Sequence, residues 1–243
     1  MSEAARTGNA DSDVSLRSED RHRELIRLAD SMYERRSEPG AECSPWAQEL
    51  ARRLGGYESY DTEWRLSRAM FLGGDVSPDL YAMGAYHGRR ATALEHNRVE
   101  GFFWAGVNLA LHAQARKGLR GALALLEARR ALRRACAISE GYHGAGPLRV
   151  LGRLEHKAPR LLGGSIGRSL SYYERALTIS PTNTVTLVYA AELEIERRDY
   201  KRAADMLETV LKLPVDPDWE FESVRDKRLA GSMLERLRAA AVD

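Results

Sequence analysis

The chain has 243 residues, 44% of them hydrophobic and only 7% aromatic, with a formal net charge of +2. That is long enough for one large helical domain or one solenoid with its own core, and too near neutrality for a polyanion binder acting by bulk charge. Leu, Ala, Arg and Glu are abundant and runs of β-branched residues are nearly absent (Thr184-Val185-Thr186 is the nearest), which excludes a sheet protein and points to an all-α one.

Residues 1–20 are polar and poor in apolar side chains, and the composition predicts a disordered tail. Residues 21–56 read as N-terminal helices packing on the solenoid. The first, over 21–36, has the stripe Leu25, Ile26, Leu28, Met32 and Tyr33. The second is entered at Ser44-Pro45, an N-cap followed by Pro at the first helical position, and is stopped by Gly55-Gly56 after Leu54. The opening residues carry no apolar core of a secretory signal, and Cys43 is not preceded by one. The expectation from the chain as written is therefore a cytoplasmic location.

Residues 57–215 read as four helix pairs. The clearest is the last: Ala190, Ala191 and Leu193, then Asp199-Tyr200, then Ala203, Leu207 and Val210, then Pro214. These spacings follow the 34-residue tetratricopeptide (TPR) pattern, in which small residues let two helices approach, a bulky one fills the groove and Pro ends the second helix. Earlier pairs are stretched. Their equivalent second-helix positions fall at Ala91, Ala135, Ala176 and Val210, at intervals of 44, 41 and 34 residues. Gly163-Gly164-Ser165 is read as a turn within an insertion, because it follows no strand and lacks the Lys-Ser/Thr of a phosphate loop. Residues 216–243 supply a C-terminal capping helix, with Phe221, Val224, Leu229, Met233 and Leu237 on its expected inner face. The fold class is thus an all-α, TPR-like α-α superhelix with stretched repeats.

No nucleophile motif, HExxH spacing or metal-ligand cluster occurs, and Cys43 and Cys136 form no CxxC, so neither an enzyme nor a metal or other cofactor is expected. Trp104, Asn108 and His112 share one helix face at i, i+4, i+8, where an indole, an amide and an imidazole on an apolar helix could line a pocket or else serve the core. Arg149, Arg153 and His156, with Tyr142 just ahead, suit a carboxylate or phosphate. The Arg129, Arg130, Arg133, Arg134 stripe is expected to face solvent. Segment 116–160 is basic between acidic ends, but Tyr142 is its sole aromatic, which argues against nucleic acid. No stretch is long and apolar enough for stable membrane insertion. The partners expected are a protein, a small ligand or both; the alternative to a ligand-binding scaffold is a peptide-binding TPR adaptor with a basic concave groove.

Three segments resemble the T component of TRAP transporters (TatT): GYHGAGPLRVLGRLEHKAPRLLGGS at 141–165, EGFFWAGVNL at 100–109 and YYERALTISP at 172–181. The resemblance spans roughly residues 60–240. It implies a TPR-type protein with a largely apolar internal cavity or pore, assembly into homo-oligomers, and a periplasmic substrate-binding partner for uptake of a small ligand. The periplasm is the compartment that the resemblance suggests. The layout is also similar to the TPR domain of regulator-of-microtubule-dynamics proteins.

Overall fold

The computed structural model describes residues 4–36, 43–54, 56–74, 77–116 and 118–240. The Gly55 stop and the residues just ahead of Cys43 lie outside these, and the Cys43 side chain is not described. Eleven α-helices make up the described architecture: α1 (Ala4–Glu34), α2 (Cys43–Leu54), α3 (Tyr60–Gly73), α4 (Asp79–Leu94), α5 (Val99–Ala115), α6 (Gly118–Ile138), α7 (Tyr142–Lys157), α8 (Ile166–Ile179), α9 (Thr184–Glu196), α10 (Tyr200–Lys212) and α11 (Glu220–Ala240). Helices α3 to α10 stack as four successive antiparallel-type pairs, α1 and α2 pack on α3, and α11 covers α9 and α10. Among the described residues no helix is long and apolar enough to cross a membrane.

The positions equivalent by sequence are equivalent in space. Ala91, Ala135, Ala176 and Val210 are each 0% exposed, so the stretched spacing preserves one inward position per pair. Small residues set the helix separations. A Cβ on Gly106 of α5 would stand 2.6 Å from Leu132 of α6, and one on Gly152 of α7 would stand 2.5 Å from the Tyr173 ring of α8. Two pairs share a further tie: Ser67 donates to Gly84 O at 2.7 Å and Ser169 to Gly152 O at 2.8 Å, each satisfying a buried hydroxyl.

Helix α1 is continuous over 31 residues, Ala4–Glu34, and so takes in most of the segment 1–20. Its C-terminal half is anchored by buried Leu25 and Ala29, and once that part is nucleated, each further residue adds a backbone hydrogen bond at little cost. Two expectations are corrected. In α11 the inner face is Ser223, Asp226, Ala230, Met233 and Leu234, whereas Phe221 and Leu229 are 46% and 41% exposed. The Thr184 hydroxyl donates to the buried Asp226 carboxylate at 2.8 Å, a polar contact that an apolar-stripe reading does not count. Finally, Arg129 does not face solvent; it is 6% exposed and bound to Glu155.

Candidate functional site

The sharpest backbone feature is the entry to α7. His143, Gly144 and Ala145 have φ of 54°, 60° and 57°, a full turn of left-handed backbone. For His and Ala this costs about 1–2 kcal/mol each, and such strain persists only where surrounding contacts enforce it. The right-handed helix resumes at Gly146, which puts Pro147 in its first turn, where the missing N–H is harmless. Close contacts crowd the two glycines within and after the strained turn. A Cβ on Gly144 would meet Asn183 at 3.0 Å, and one on Gly146 would meet the Phe103 ring at 2.7 Å.

Arg149, two residues beyond Pro147, staples this turn. Its Nη1 donates to Gly144 O at 2.7 Å and to Asn183 Oδ1 at 3.3 Å, and its Nη2 donates to His143 O at 3.3 Å. Asn183 in turn caps α9, accepting from Thr186 N at 3.0 Å. The turn holds the His143 ring among aromatics. Its centroid lies 4.6 Å from Trp219, 5.2 Å from Phe103 and 5.3 Å from Trp104. Tyr33 of α1 shares a 2.8 Å hydrogen bond between its hydroxyl and His143 Nε2.

These rings form one end of a cavity of about 640 Å³. Tyr33, Phe71, Phe103, Trp104, His143 and Trp219 line that end, and Val107, Leu111, Leu125, Val150, Leu154 and Tyr189 continue the wall. The wall draws on both termini of the described chain. Arg36, one turn after Tyr33, donates through Nη2 to Glu222 at 2.7 Å and to Asp218 O at 3.2 Å, so the end of α1 is clasped to the start of α11.

The residues singled out from sequence fall in different places. Trp104, Arg149 and Arg153 line the cavity. Asn108 serves the core: it is 0% exposed and its amide donates to Ser67 O and to Trp104 O, both at 2.9 Å. His112 lies further along α5 with its pKa lowered, mainly by burial and then by Arg116. Tyr142 packs edge-on against Phe103 at 5.2 Å behind the wall, and burial pushes its hydroxyl up to about 12. His156 Nε2 is 2.9 Å from Glu196, but burial outweighs that carboxylate and lowers its pKa. Arg153 is neutralised by Glu192, which removes one of the two charges proposed for a basic groove. Sequence reasoning missed His143, Tyr33, Trp219 and Arg36. The signal for His143 was the Gly144, Gly146 and Pro147 cluster around it; the other three have no local signature.

Burial, reinforced by Arg149, Arg36 and Arg68, holds the His143 pKa well below 6.5. An unfolded chain therefore takes up that proton first as the pH falls, so stability is full above about pH 6.5 and is lost below it at up to about 1.4 kcal/mol per pH unit. Thermal melts at pH 7.5 and 5.5 are expected to show a smaller acid loss in His143→Gln than in the wild type. An equal loss would place the titration elsewhere.

Fold and cavity together define a class: a TPR-type helical scaffold with an aromatic-walled chamber. Among solved structures, a thermophilic TPR protein of Thermus thermophilus superposes with a TM-score of 0.62 at 16% identity, covering 84% of this chain and 98% of that one, which shows the fold alone. The family model for the TRAP transporter T-component matches residues 81–239, well over half the chain, and the chain belongs to that family. No curated protein matches it. Among the described residues, no group of His, Cys, Asp and Glu could hold a metal ion.

Proposed function

We propose that this protein is the ligand-holding scaffold of a transporter: it accepts a small, largely apolar molecule in the chamber and exchanges it with a substrate-binding partner protein. The chamber carries this reading. A cavity of about 640 Å³ walled by aromatic and aliphatic side chains is of ligand size, and a packed core leaves few voids larger than a water molecule. Family membership supports the transporter partner and favours the periplasm over the cytoplasm as the place of action. Leu119, Leu123, Leu126 and Leu161, all exposed, the last at 99%, support contact with a protein partner or a second copy.

The test is binding of the neutral dye N-phenyl-1-naphthylamine, with native mass spectrometry of the full chain for co-purified ligand and oligomeric state. The wild type is expected to bind the dye and to lose it when Ala122 in the chamber wall is replaced by Trp. Absence of both dye binding and any co-purified molecule would overturn the reading.

A further inference from the structure

A second cleft, of about 450 Å³, backs onto the chamber and shares Ala122 and Leu162 with it. It lies between α6 and the insertion 161–165 that joins α7 to α8. Four guanidiniums and one carboxylate line it: Arg129, Arg130 and Arg133 of α6, Arg168 of α8 and Glu155 of α7, an excess of three positive charges. Glu155 is shared, accepting from Arg129 Nε at 3.0 Å and from Arg168 Nη2 at 2.7 Å, so it compensates one of that pair. Arg130 and Arg133 are exposed, and their side chains take part in no ion pair or hydrogen bond among the described residues.

The cleft is held in shape from beneath. Arg129 is 6% exposed and its Nη1 donates to Leu162 O at 2.6 Å, while Arg168 donates to Gly163 O. Ser165 N donates to Glu155 O at 2.8 Å, so the insertion is tied down at several points opposite α6. Arg129 Nη2 is sealed and bonds nothing, so Arg129 adds charge to the floor of the cleft and no contact. Contacts are left to Arg130 and Arg133. At i and i+3 on α6 their Cβ atoms are about 5–6 Å apart, close enough for both guanidiniums to reach one small anion. A concave surface of one sign concentrates the potential that a flat arginine stripe loses to water and salt. Leu126 and Leu161, 49% and 99% exposed, give the cleft an apolar rim.

We propose that this cleft binds the dianion of a phosphate monoester, its oxygens accepting from Arg130 and Arg133 above the charge of Arg129 and Arg168. A terminal phosphate gathers nearly two charges and three acceptor oxygens on one centre. That matches two guanidiniums one helical turn apart and a surplus of more than one charge. A monoanion leaves most of the surplus uncompensated, and an extended dicarboxylate carries its second charge away from the pair. The group has two sources, a soluble phosphate ester or the headgroup of a phosphatidic acid, and the apolar rim suits the body of either. The proposal does not depend on what the chamber holds, since none of the four arginines lines the chamber.

The experiment is calorimetric titration of the full chain at pH 7.5 with phenyl phosphate and phenyl sulfate, which share a shape and differ by one charge. Beside it, the chain is sedimented with phosphatidylcholine vesicles that contain or lack phosphatidic acid. Phenyl phosphate is expected to bind about tenfold or more tightly than phenyl sulfate, the weight of one charge-assisted hydrogen bond. The double variant Arg130→Gln with Arg133→Gln is expected to lose that binding and to keep the wild-type urea midpoint, because both side chains are exposed and unpaired. Should the midpoint fall, the wild-type ranking of the two esters decides. Phenyl sulfate matching phenyl phosphate would overturn the dianion, and undiminished binding by the folded double variant would overturn the cleft as its place. Sedimentation with phosphatidic acid vesicles alone, lost in the double variant and without binding of phenyl phosphate, would assign the phosphate to a lipid headgroup. Binding of phenyl phosphate without sedimentation would assign it to a soluble ester. Neither binding nor sedimentation would overturn the proposal and leave the chamber reading untouched.

Discussion

Replacing Glu155 with Leu is expected to cost about 3–5 kcal/mol, because it strands a charge in the core. Glu155 is 1% exposed and accepts from Arg129 Nε at 3.0 Å and from Arg168 Nη2 at 2.7 Å. The two arginines respond differently to its loss. The Arg168 side chain is 53% exposed and can turn its charge to water. Arg129 is held at Leu162 O by Nη1 and already has an unsatisfied, buried Nη2, so it has no route out. The pair ties α6 to α7 and to the insertion before α8. The loss should therefore appear as a lower urea midpoint, and the double substitution Arg129→Met with Glu155→Leu should recover most of it. Recovery absent in the double variant would mean that the cavity left by Glu155, rather than the stranded charge, sets the cost.

A second large effect is expected at Gly88. A Cβ there would stand 2.6 Å from Ala105 Cβ, 2.7 Å from its Cα and 2.8 Å from its N. These are the backbone and shortest side chain of α5, with no flexible end to move aside, so α4 and α5 must part. Gly88→Val is expected to destabilise by about 3 kcal/mol or more, at the upper end of overpacking. Gly231 in α11 is the control: nothing lies within 4 Å of a Cβ there, and Gly231→Ala should stabilise by about 0.5–1 kcal/mol through helix propensity alone. Equal effects of the two substitutions on the urea midpoint would refute the close-approach argument.

The helix pairs were legible in the sequence because their determinants are local and periodic. Ala91, Ala135, Ala176 and Val210 repeat, Asn183 and Ser165 cap helices as such residues do, and glycines fall where helices meet. Trp104 was legible as a pocket candidate, and Arg149 and Arg153 as an anion site, because an aromatic or a cation on an otherwise apolar helix is conspicuous; all three line the chamber. Arg129 was misread since four arginines in one stripe look solvated, and the partner that buries one of them, Glu155, lies on the next helix. Tyr33, Arg36 and Trp219 were invisible for a stronger reason. Arg36 and Glu222 are separated by 186 positions, and Tyr33 and His143 by 110, so no window of sequence contains either pair.

That last contact alters how the molecule should come apart. In an open stack of repeats each unit leans only on its neighbours, so the terminal units fray first and independently. Here Arg36 joins the first helix to the last, and Tyr33 reaches His143 midway along the stack. Amide hydrogen exchange at α11 should therefore report on α1: removing the Arg36 guanidinium should loosen protection in both, at opposite ends of the chain. A spring with its two ends hooked together opens as one piece.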